Sequence, residues 1–393
     1  MRAVVIGGGI IGASCSAMLA ERGAQVRVVD AGKPRFGTSL QNAGHIVVSH
    51  SIPFAAPGMV RAGIRSLLTS DGAFAFSSRP GRGTLPWLLG FARKCTATNV
   101  AALQPGLDLL LHRSAELLMA EGNLARTGPG LWQVFTSSSQ SASQEAEHLR
   151  AHGVHVRDIP LEELRAEPGL TDQVVAAIEL VEDFGVDPAA LWLRMRERSE
   201  AAGAVWEEGI ELDLRDQDAD VIVIAAGAWS PAVVRPLGVD LPIRAAKGYS
   251  VSIAGLEHMP TRPMLLMDQR TALNPLGDRL RLSARYELTG PDDREIVAHR
   301  IAGLIERART VVDLPERVAD VEPWTGVRPA SIDGAPYIGF LPQRSATPVL
   351  VATGHGMIGT ALSAGTADLV TRLVFGDHVD AREARLGPDR LLA

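Results

Sequence analysis

Apolar residues fall in two kinds of run along this chain, and their periods predict its elements. Ala3-Val4-Val5-Ile6 is an unbroken apolar run, as in a strand covered on both faces. A helical pattern follows over 10–22, through Met18 and Leu19, and stops at Gly23, a natural C-terminal cap. Val26–Val29 reads as a second strand that ends at Asp30. Residues 31–58 are rich in Gly, Pro, Ser and Asn, the composition of a loop. Residues 60–125 read mostly as helix, interrupted around Arg79–Pro86. Leu131–Thr136 predicts a strand, and the polar run Ser137–Ser141 a turn into a helix carrying Glu145–His152. Strands are also expected over Val174–Glu182, Asp220–Ala226 and Val349–Ala352, and helices over Pro188–Gly203, Asp293–Val311 and Gly365–Phe375. Residues 241–290 look like a β-meander, with strands near Gly248–Ile253, Met264–Met267 and Leu280–Ala284. No internal repeat is visible.

Parallel-type strands and helices at both chain ends, with antiparallel β between them, predict an α/β protein. The expected form is one discontinuous α/β domain holding an inserted α+β domain built on a mixed or antiparallel sheet. The N-terminal stretch has a rival reading. Arg2 and the apolar run Val4–Ala20, with small Ala13, Ser14 and Ser16, could serve as a signal peptide. The glycines at 7, 9 and 12 sit where a phosphate-binding turn needs them, so strand, turn and helix are expected. No other stretch offers the roughly 20 apolar residues of a transmembrane helix.

Composition narrows the field. A length of 393 residues suggests two or three domains. With 46% hydrophobic and 21% charged residues, disorder over most of the chain is excluded. The net charge of −6 gives no general pull toward nucleic acid or anionic membrane. Cys15 and Cys95 cannot build a disulfide framework or a four-cysteine zinc site. No metal site is expected, and no serine nucleophile elbow is present.

Gly7-Gly8-Gly9-Ile10-Ile11-Gly12 fits a dinucleotide fingerprint. Gly7 permits a tight turn, Gly9 lets the main chain approach a pyrophosphate, and Gly12 allows close helix–strand packing. The amides of the helix start, with Ile10 and Ile11, then point at phosphate. Asp30, next to Ala31, ends the second strand where a carboxylate accepts from a ribose hydroxyl. A simple nicotinamide enzyme would continue with regular β/α units. Here instead comes the polar loop Thr38-Ser39-Leu40-Gln41-Asn42-Ala43-Gly44-His45, suited to a second phosphate or a flavin's polar edge. Two more segments add to this. The strand before Ala226-Gly227 ends in small residues against which a cofactor can lie. The block Thr353–Thr360 follows a strand and opens a helix, whose dipole would favour the anionic edge of a reduced flavin.

With these motifs, and with Phe54–Gly58, Gly185–Pro188, Ala225–Ser230, Trp324–Pro329 and Asp333–Gly339, the chain resembles the FAD-dependent D-amino acid oxidase family. Within it the pattern is most similar to the bacterial D-amino acid dehydrogenases. The resemblance covers nearly the whole chain. It implies a Rossmann-like FAD domain from 1–48, 186–231 and 323–393, and a substrate domain from 49–185 and 232–322. It implies that Gly7, Gly9, Ile10, Ile11 and Gly12 hold the pyrophosphate, and Asp30 and Ala31 the adenosine ribose. The family more often has Glu at the ribose position. Thr38, Ser39, Asn42, Ala43 and Gly44 match the block that touches phosphates and flavin, and His45 a residue beside the rings. Ala226 and Gly227 lie at the strand tip. Gly356, Met357, Ile358, Gly359 and Thr360 match the helix start at the pyrimidine edge. Arg328 matches the arginine that grips the substrate carboxylate. A guanidinium also pairs with a carboxylate in a two-pronged fork.

Some positions depart from the family. Ser283-Ala284-Arg285-Tyr286-Glu287 replaces a run of small residues with a Met or Thr before the acid. Lys247-Gly248-Tyr249 stands where Gln usually follows the Gly. The segment before Val221 is short, which suggests a trimmed hairpin. The loop after Tyr337 lacks the cysteine that carries covalent flavin in some relatives, so FAD is expected to be non-covalent. Tyr249, Tyr286 and His45 are candidate pocket residues. The resemblance implies oxidation of the Cα–N bond of small D-amino acids to imino acids by hydride transfer to flavin N5, followed by hydrolysis to a 2-oxo acid and ammonia. The implied partners are the D-amino acid and an electron acceptor (a quinone, a dye or O2). Nucleic acid and a membrane span are not expected; the compartment expected is the cytoplasm, with peripheral membrane contact left open. Two rival functions stand beside this one. The first is a secondary-amine oxidase or dehydrogenase acting on D-proline, hydroxyproline, sarcosine or glycine. The second is a non-catalytic or tRNA-modifying FAD-binding protein, against which the absence of a basic run argues.

Overall fold

The computed structural model describes residues 1–32, 38–49, 51–67, 74–76, 83–122, 124–128, 130–210, 214, 218–342 and 347–391. Within them, one six-stranded sheet runs in the order Tyr337–Phe340, Val349–Thr353, Val221–Ile224, Arg2–Ile6, Gln25–Asp30, Val205–Glu208. All pairings are parallel except that of the edge strand Tyr337–Phe340. Alternate residues serve two cores. Ala3, Val5, Val28, Val223 and Leu350 pack with Leu19, Leu191 and Leu369 of the helices Ile10–Glu21, Pro188–Ala201 and Ser363–Phe375. Val4, Ile6, Ile222, Ile224 and Val351 pack with Val234, Leu241 and Ile243 on the other face. Cover on both faces is why these strands are apolar without alternation.

The larger sheet runs Asp320–Ser331, Ile243–Ala254, Arg279–Thr289, Thr271–Leu276, Met264–Leu266, Leu131–Phe135, Ala176–Leu180, Val156–Asp158. Phe74–Phe76 pairs in parallel with Arg279–Thr289, off this path, and Met264–Leu266 is parallel to Leu131–Phe135. The sheet is therefore mixed, and the helix Ala298–Ala308 covers one face through Ile301 and Leu304. Among the described residues, no helix is long and apolar enough to cross a membrane.

The structure departs from the sequence pattern in several places. Asp320–Ser331 is a twelve-residue strand that Pro323 and Pro329 concealed. It lies at the sheet edge, where a missing N–H breaks no ladder. It also runs across the domain boundary expected at 322/323. Thr271–Leu276 is likewise a strand that its sequence hides, because it contains Asn274 and Pro275. The stretch read as mostly helical divides into Met59–Leu67, Phe74–Phe76, Thr84–Lys94 and Ala97–Ala120. Pro86 does not interrupt; it sits in the first turn of Thr84–Lys94, where its lost N–H would have no helical partner. The helix Ala97–Ala120, expected in the substrate domain, buries Leu103, Leu107 and Leu110 in the same core as Ile10–Glu21. The helix expected over Asp293–Val311 is confined to Ala298–Ala308. Most of the segment expected to be trimmed before Val221 lies outside the described residues.

Candidate active site

The turn from Arg2–Ile6 into the first helix is made by glycine. Gly7 has a φ of +108°, and its amide donates to the Val29 carbonyl at 2.9 Å. A Cβ on Gly12 would overlap the Gly7 carbonyl, so helix and strand can meet this closely only without one. Asp30 accepts from the Gly8 amide at 2.6 Å and the Gly32 amide at 2.9 Å. Its carboxylate keeps lone pairs for further donors. Ser39 Oγ accepts from the Ile10 amide at 2.9 Å, which ties the polar loop to the helix start. Asn42 folds that loop upon itself. Its amide donates to the Thr38 carbonyl at 2.8 Å, and its oxygen accepts from the Gly44 amide at 2.7 Å.

A cavity of about 660 Å³ opens between these elements. It brings together Gly7, Gly9, Ile10, Ile11, Asp30, Ala31, Thr38, Ser39, Asn42, Ala226, Gly227, Arg328, Gly356, Met357, Gly359 and Thr360. The strand tips behind it are locked by hydroxyls. Thr353 Oγ1 donates to the Gly227 carbonyl at 3.0 Å, and Ser230 Oγ donates to Thr353 Oγ1 at 2.9 Å. Arg328 is half-buried on the cavity wall. Its Nη1 donates to the Arg285 carbonyl at 3.0 Å, and among the described residues no carboxylate pairs with it. Surrounding protein lowers its pKa from the ordinary arginine value, with nearby Tyr286 acting the other way. A guanidinium stays charged across such a range.

Other predicted residues fall outside this cavity. Gly12 lies inside the helix Ile10–Glu21, and Ala43 and Gly44 belong to the loop behind the wall. His45 Nε2 donates to the Leu273 carbonyl at 2.9 Å. Burial holds its pKa down to about 4 against that bond, so the ring is neutral. Tyr249 lies in the core of the larger sheet, where its hydroxyl donates to Glu287 at 3.3 Å. Neither lines this cavity or the recess beside it. Tyr286 and Ile358 instead line an adjoining recess of about 40 Å³ with Phe54 and Ala330. The ring centroids of Tyr286 and Phe54 are 4.9 Å apart. His355, Gly356 and Met357 border both spaces. The block over 353–360 does not open the helix directly. The helix starts at Ser363, and the Gly356 amide donates to the Pro329 carbonyl at 2.9 Å. His355 is buried, its pKa pressed down to about 3, and its Nε2 lies 3.0 Å from Thr366 Oγ1.

Three partners had no signal in the sequence, because each reaches the site from far along the chain. Trp192 Nε1 donates to the Gly8 carbonyl at 2.8 Å. Asn274 donates to the Ala43 carbonyl at 2.7 Å, and Arg281 to the Leu40 carbonyl at 3.3 Å. The larger sheet thus holds the loop that borders the cavity.

Residues 2–373 match the family of FAD-dependent oxidoreductases. The chain belongs to that family. It is 29% identical over 429 residues to a D-amino acid dehydrogenase of Cereibacter sphaeroides, covering 100% of this chain and 96% of that protein. Its fold is that of glycine oxidase from Bacillus cereus, with a TM-score of 0.73, 18% identity and 96% of each chain covered. Iminodiacetate oxidase from Chelativorans gives a TM-score of 0.73 at 21% identity, covering 98% of this chain and 99% of that one. The protein is an FAD-dependent enzyme, and the cavity fits that cofactor. Glycine main chain at one end leaves room for phosphates. Asp30 would supply an acceptor for a ribose, and the small residues Ala226 and Gly227 would leave space for rings.

Proposed function

We propose that this FAD-dependent oxidoreductase oxidises the Cα–N bond of small D-amino acids. The imino acid product then hydrolyses to a 2-oxo acid and ammonia. One observation carries the reading: Arg328 borders the cofactor cavity with no carboxylate partner among the described residues, beside an apolar recess walled by Phe54, Tyr286 and Ala330. The fork fits the substrate carboxylate. The recess takes a side chain of only a few atoms. When bound, FAD supplies the two-electron acceptor. His355, held neutral at the border of both spaces, adds no charge of its own to the site. In this reading the six-stranded sheet carries the cofactor and the larger sheet the substrate. Relatives named D-amino acid dehydrogenase, matched over the full chain, support the D-hand and an acceptor other than O2.

The structural likeness to glycine and iminodiacetate oxidases favours one alternative, a secondary or unsubstituted amine substrate in the same cavity. Anaerobic mixing with D-alanine, L-alanine, D-proline and sarcosine, followed by bleaching of the flavin absorbance, separates the readings. D-alanine should reduce the flavin faster than L-alanine or sarcosine, and a quinone or dye should reoxidise it faster than air. Faster reduction by sarcosine than by any D-amino acid moves the assignment to the alternative. Rapid reoxidation by O2 alone makes the enzyme an oxidase.

A further inference from the structure

Arg328 does not stand in its slot unaided. It sits on Asp320–Ser331, opposite Ala246 of the neighbouring strand Ile243–Ala254. Its guanidinium reaches past that strand to the third one, Arg279–Thr289. Two irregularities make this reach possible. A Cβ on Gly248 would overlap the guanidinium, so the middle strand lets the side chain pass only at a glycine. On the third strand the register slips: Ala284 faces Tyr249 and Glu287 faces Lys247, so Arg285 and Tyr286 together stand opposite Gly248. This is a bulge, two residues against one.

The first bulge residue has a φ of +74°, and among the described residues only Arg270 shares that left-handed region without being glycine. A side chain there is strained, and such strain persists only where surrounding structure over-determines it. Here the turned backbone presents the Arg285 carbonyl to Arg328 Nη1 at 3.0 Å. The next residue, Tyr286, then sets its ring beside Phe54 in the recess.

We propose that the Arg285–Tyr286 bulge is the positioning and specificity device of the substrate site. The Arg285 main chain orients the Arg328 fork, and Tyr286 closes the side-chain recess. Arg285 acts through its backbone conformation, not through its guanidinium. With one Nη1 proton taken by the carbonyl, the edge formed by Nε and Nη2 is left for a carboxylate. The proposal rests on the reading of Arg328 as the carboxylate grip.

The test is a series at position 285 in the FAD-loaded enzyme, ranked by tolerance of positive φ. Gly and Asn adopt it readily, and a β-branched residue does not. Arg285→Gly and Arg285→Asn should keep KM for the best amino acid of the panel within about threefold of wild type, although both lack the guanidinium. Arg285→Val and Gly248→Ala should raise KM about tenfold or more, with a smaller change in the limiting rate of flavin reduction. The dissociation constant of acetate, read from its perturbation of the flavin spectrum, should follow the same order without turnover. Gly248→Ala tests the slot from another strand should Arg285→Val lose its fold. Equal losses in Gly, Asn and Val would place the effect in the side chain and overturn the proposal, as would unchanged acetate binding in both Val and Gly248→Ala. Failure of the underlying reading looks different: Arg328→Lys would then keep its acetate affinity whatever the series shows.

Discussion

A guanidinium and an ammonium carry the same charge but differ in shape, and under the proposed function Arg328 is where that difference counts. Arg328→Lys keeps the cation and loses the fork. Loss of one charge-assisted bond costs roughly 1.5–3 kcal/mol, which is about ten- to more than a hundredfold in kcat/KM. FAD content should stay at the wild-type level, because the glycine turn, Asp30 and the loop 38–44 are untouched. Steady-state kinetics on a carboxylate substrate and flavin absorbance check both halves, and near wild-type kinetics removes Arg328 from the site. Of the residues the sequence nominates, Arg328 and Tyr286 border the cavity and its recess, whereas Tyr249 and His45 do not. The difference between these residues is direction. Tyr249 belongs to the core beneath Ala298–Ala308, and His45 spends its donor on the Leu273 carbonyl. A residue type in a motif does not say which face of a strand it occupies.

At the scale of elements, the loop 38–44 depends on a strand more than 200 residues away. Asn274 is fully buried and donates to the carbonyls of Ala43 at 2.7 Å and Val186 at 3.1 Å, while its oxygen accepts from the Thr127 hydroxyl. Asn274→Ala leaves these groups buried without their partner. Each unsatisfied group costs about 1–3 kcal/mol, so a loss of at least about 2 kcal/mol is expected. Chemical denaturation measures that loss, and titration of the apoprotein should show weaker FAD binding because the loop borders the cavity. A wild-type FAD affinity would mean that the loop holds its shape by itself through Asn42. The strand that carries Arg328 teaches a related lesson. Pro323 and Pro329 are strand breakers in the interior of a sheet and harmless at its edge, and edge position is a property of the assembled sheet.

For the whole molecule, two buried groups and the half-buried His45 tie stability to pH. His45 and His355 have pKa values pressed down from 6.5 to about 4 and about 3 by burial, with the Leu273 carbonyl opposing the shift at His45. The unfolded chain therefore takes up protons that the native protein refuses, and stability falls as pH drops from 6.5 toward 4. Asp183 works in the opposite sense. Burial raises it from 3.8 to about 6 against the hydrogen bonds of Ser49, so its contribution is present in acid and is lost as pH rises through 6. Two histidines outweigh one carboxyl, and each unmatched proton is worth about 1.4 kcal/mol per pH unit. The thermal midpoint should fall between pH 6.5 and 4, more steeply in Asp183→Asn and less steeply in His355→Gln. A midpoint that rises on acidification contradicts this. The whole chain also sets how the cofactor is held. Cys15 is buried in the helix core, and neither it nor Cys95 lines the cavity. Acid precipitation should leave yellow FAD in the supernatant, one per chain; flavin that stays with the pellet would show a covalent link.

The glycine turn was legible from residues alone because its causes are local. Gly7, Gly12 and Asp30 act within one β-α-β unit, and steric exclusion of a Cβ is the same in any context. The apolar runs around Val5, Val223 and Val351 were legible for the same reason, since cover on both faces leaves no polar position to confuse the period. What lay beyond reach was everything decided by contact between distant segments. No local rule places Trp192 on the Gly8 carbonyl, Asn274 under the Ala43 loop, or Arg328 across Gly248 onto Arg285. Those contacts depend on the order and register of two sheets, which only packing sets.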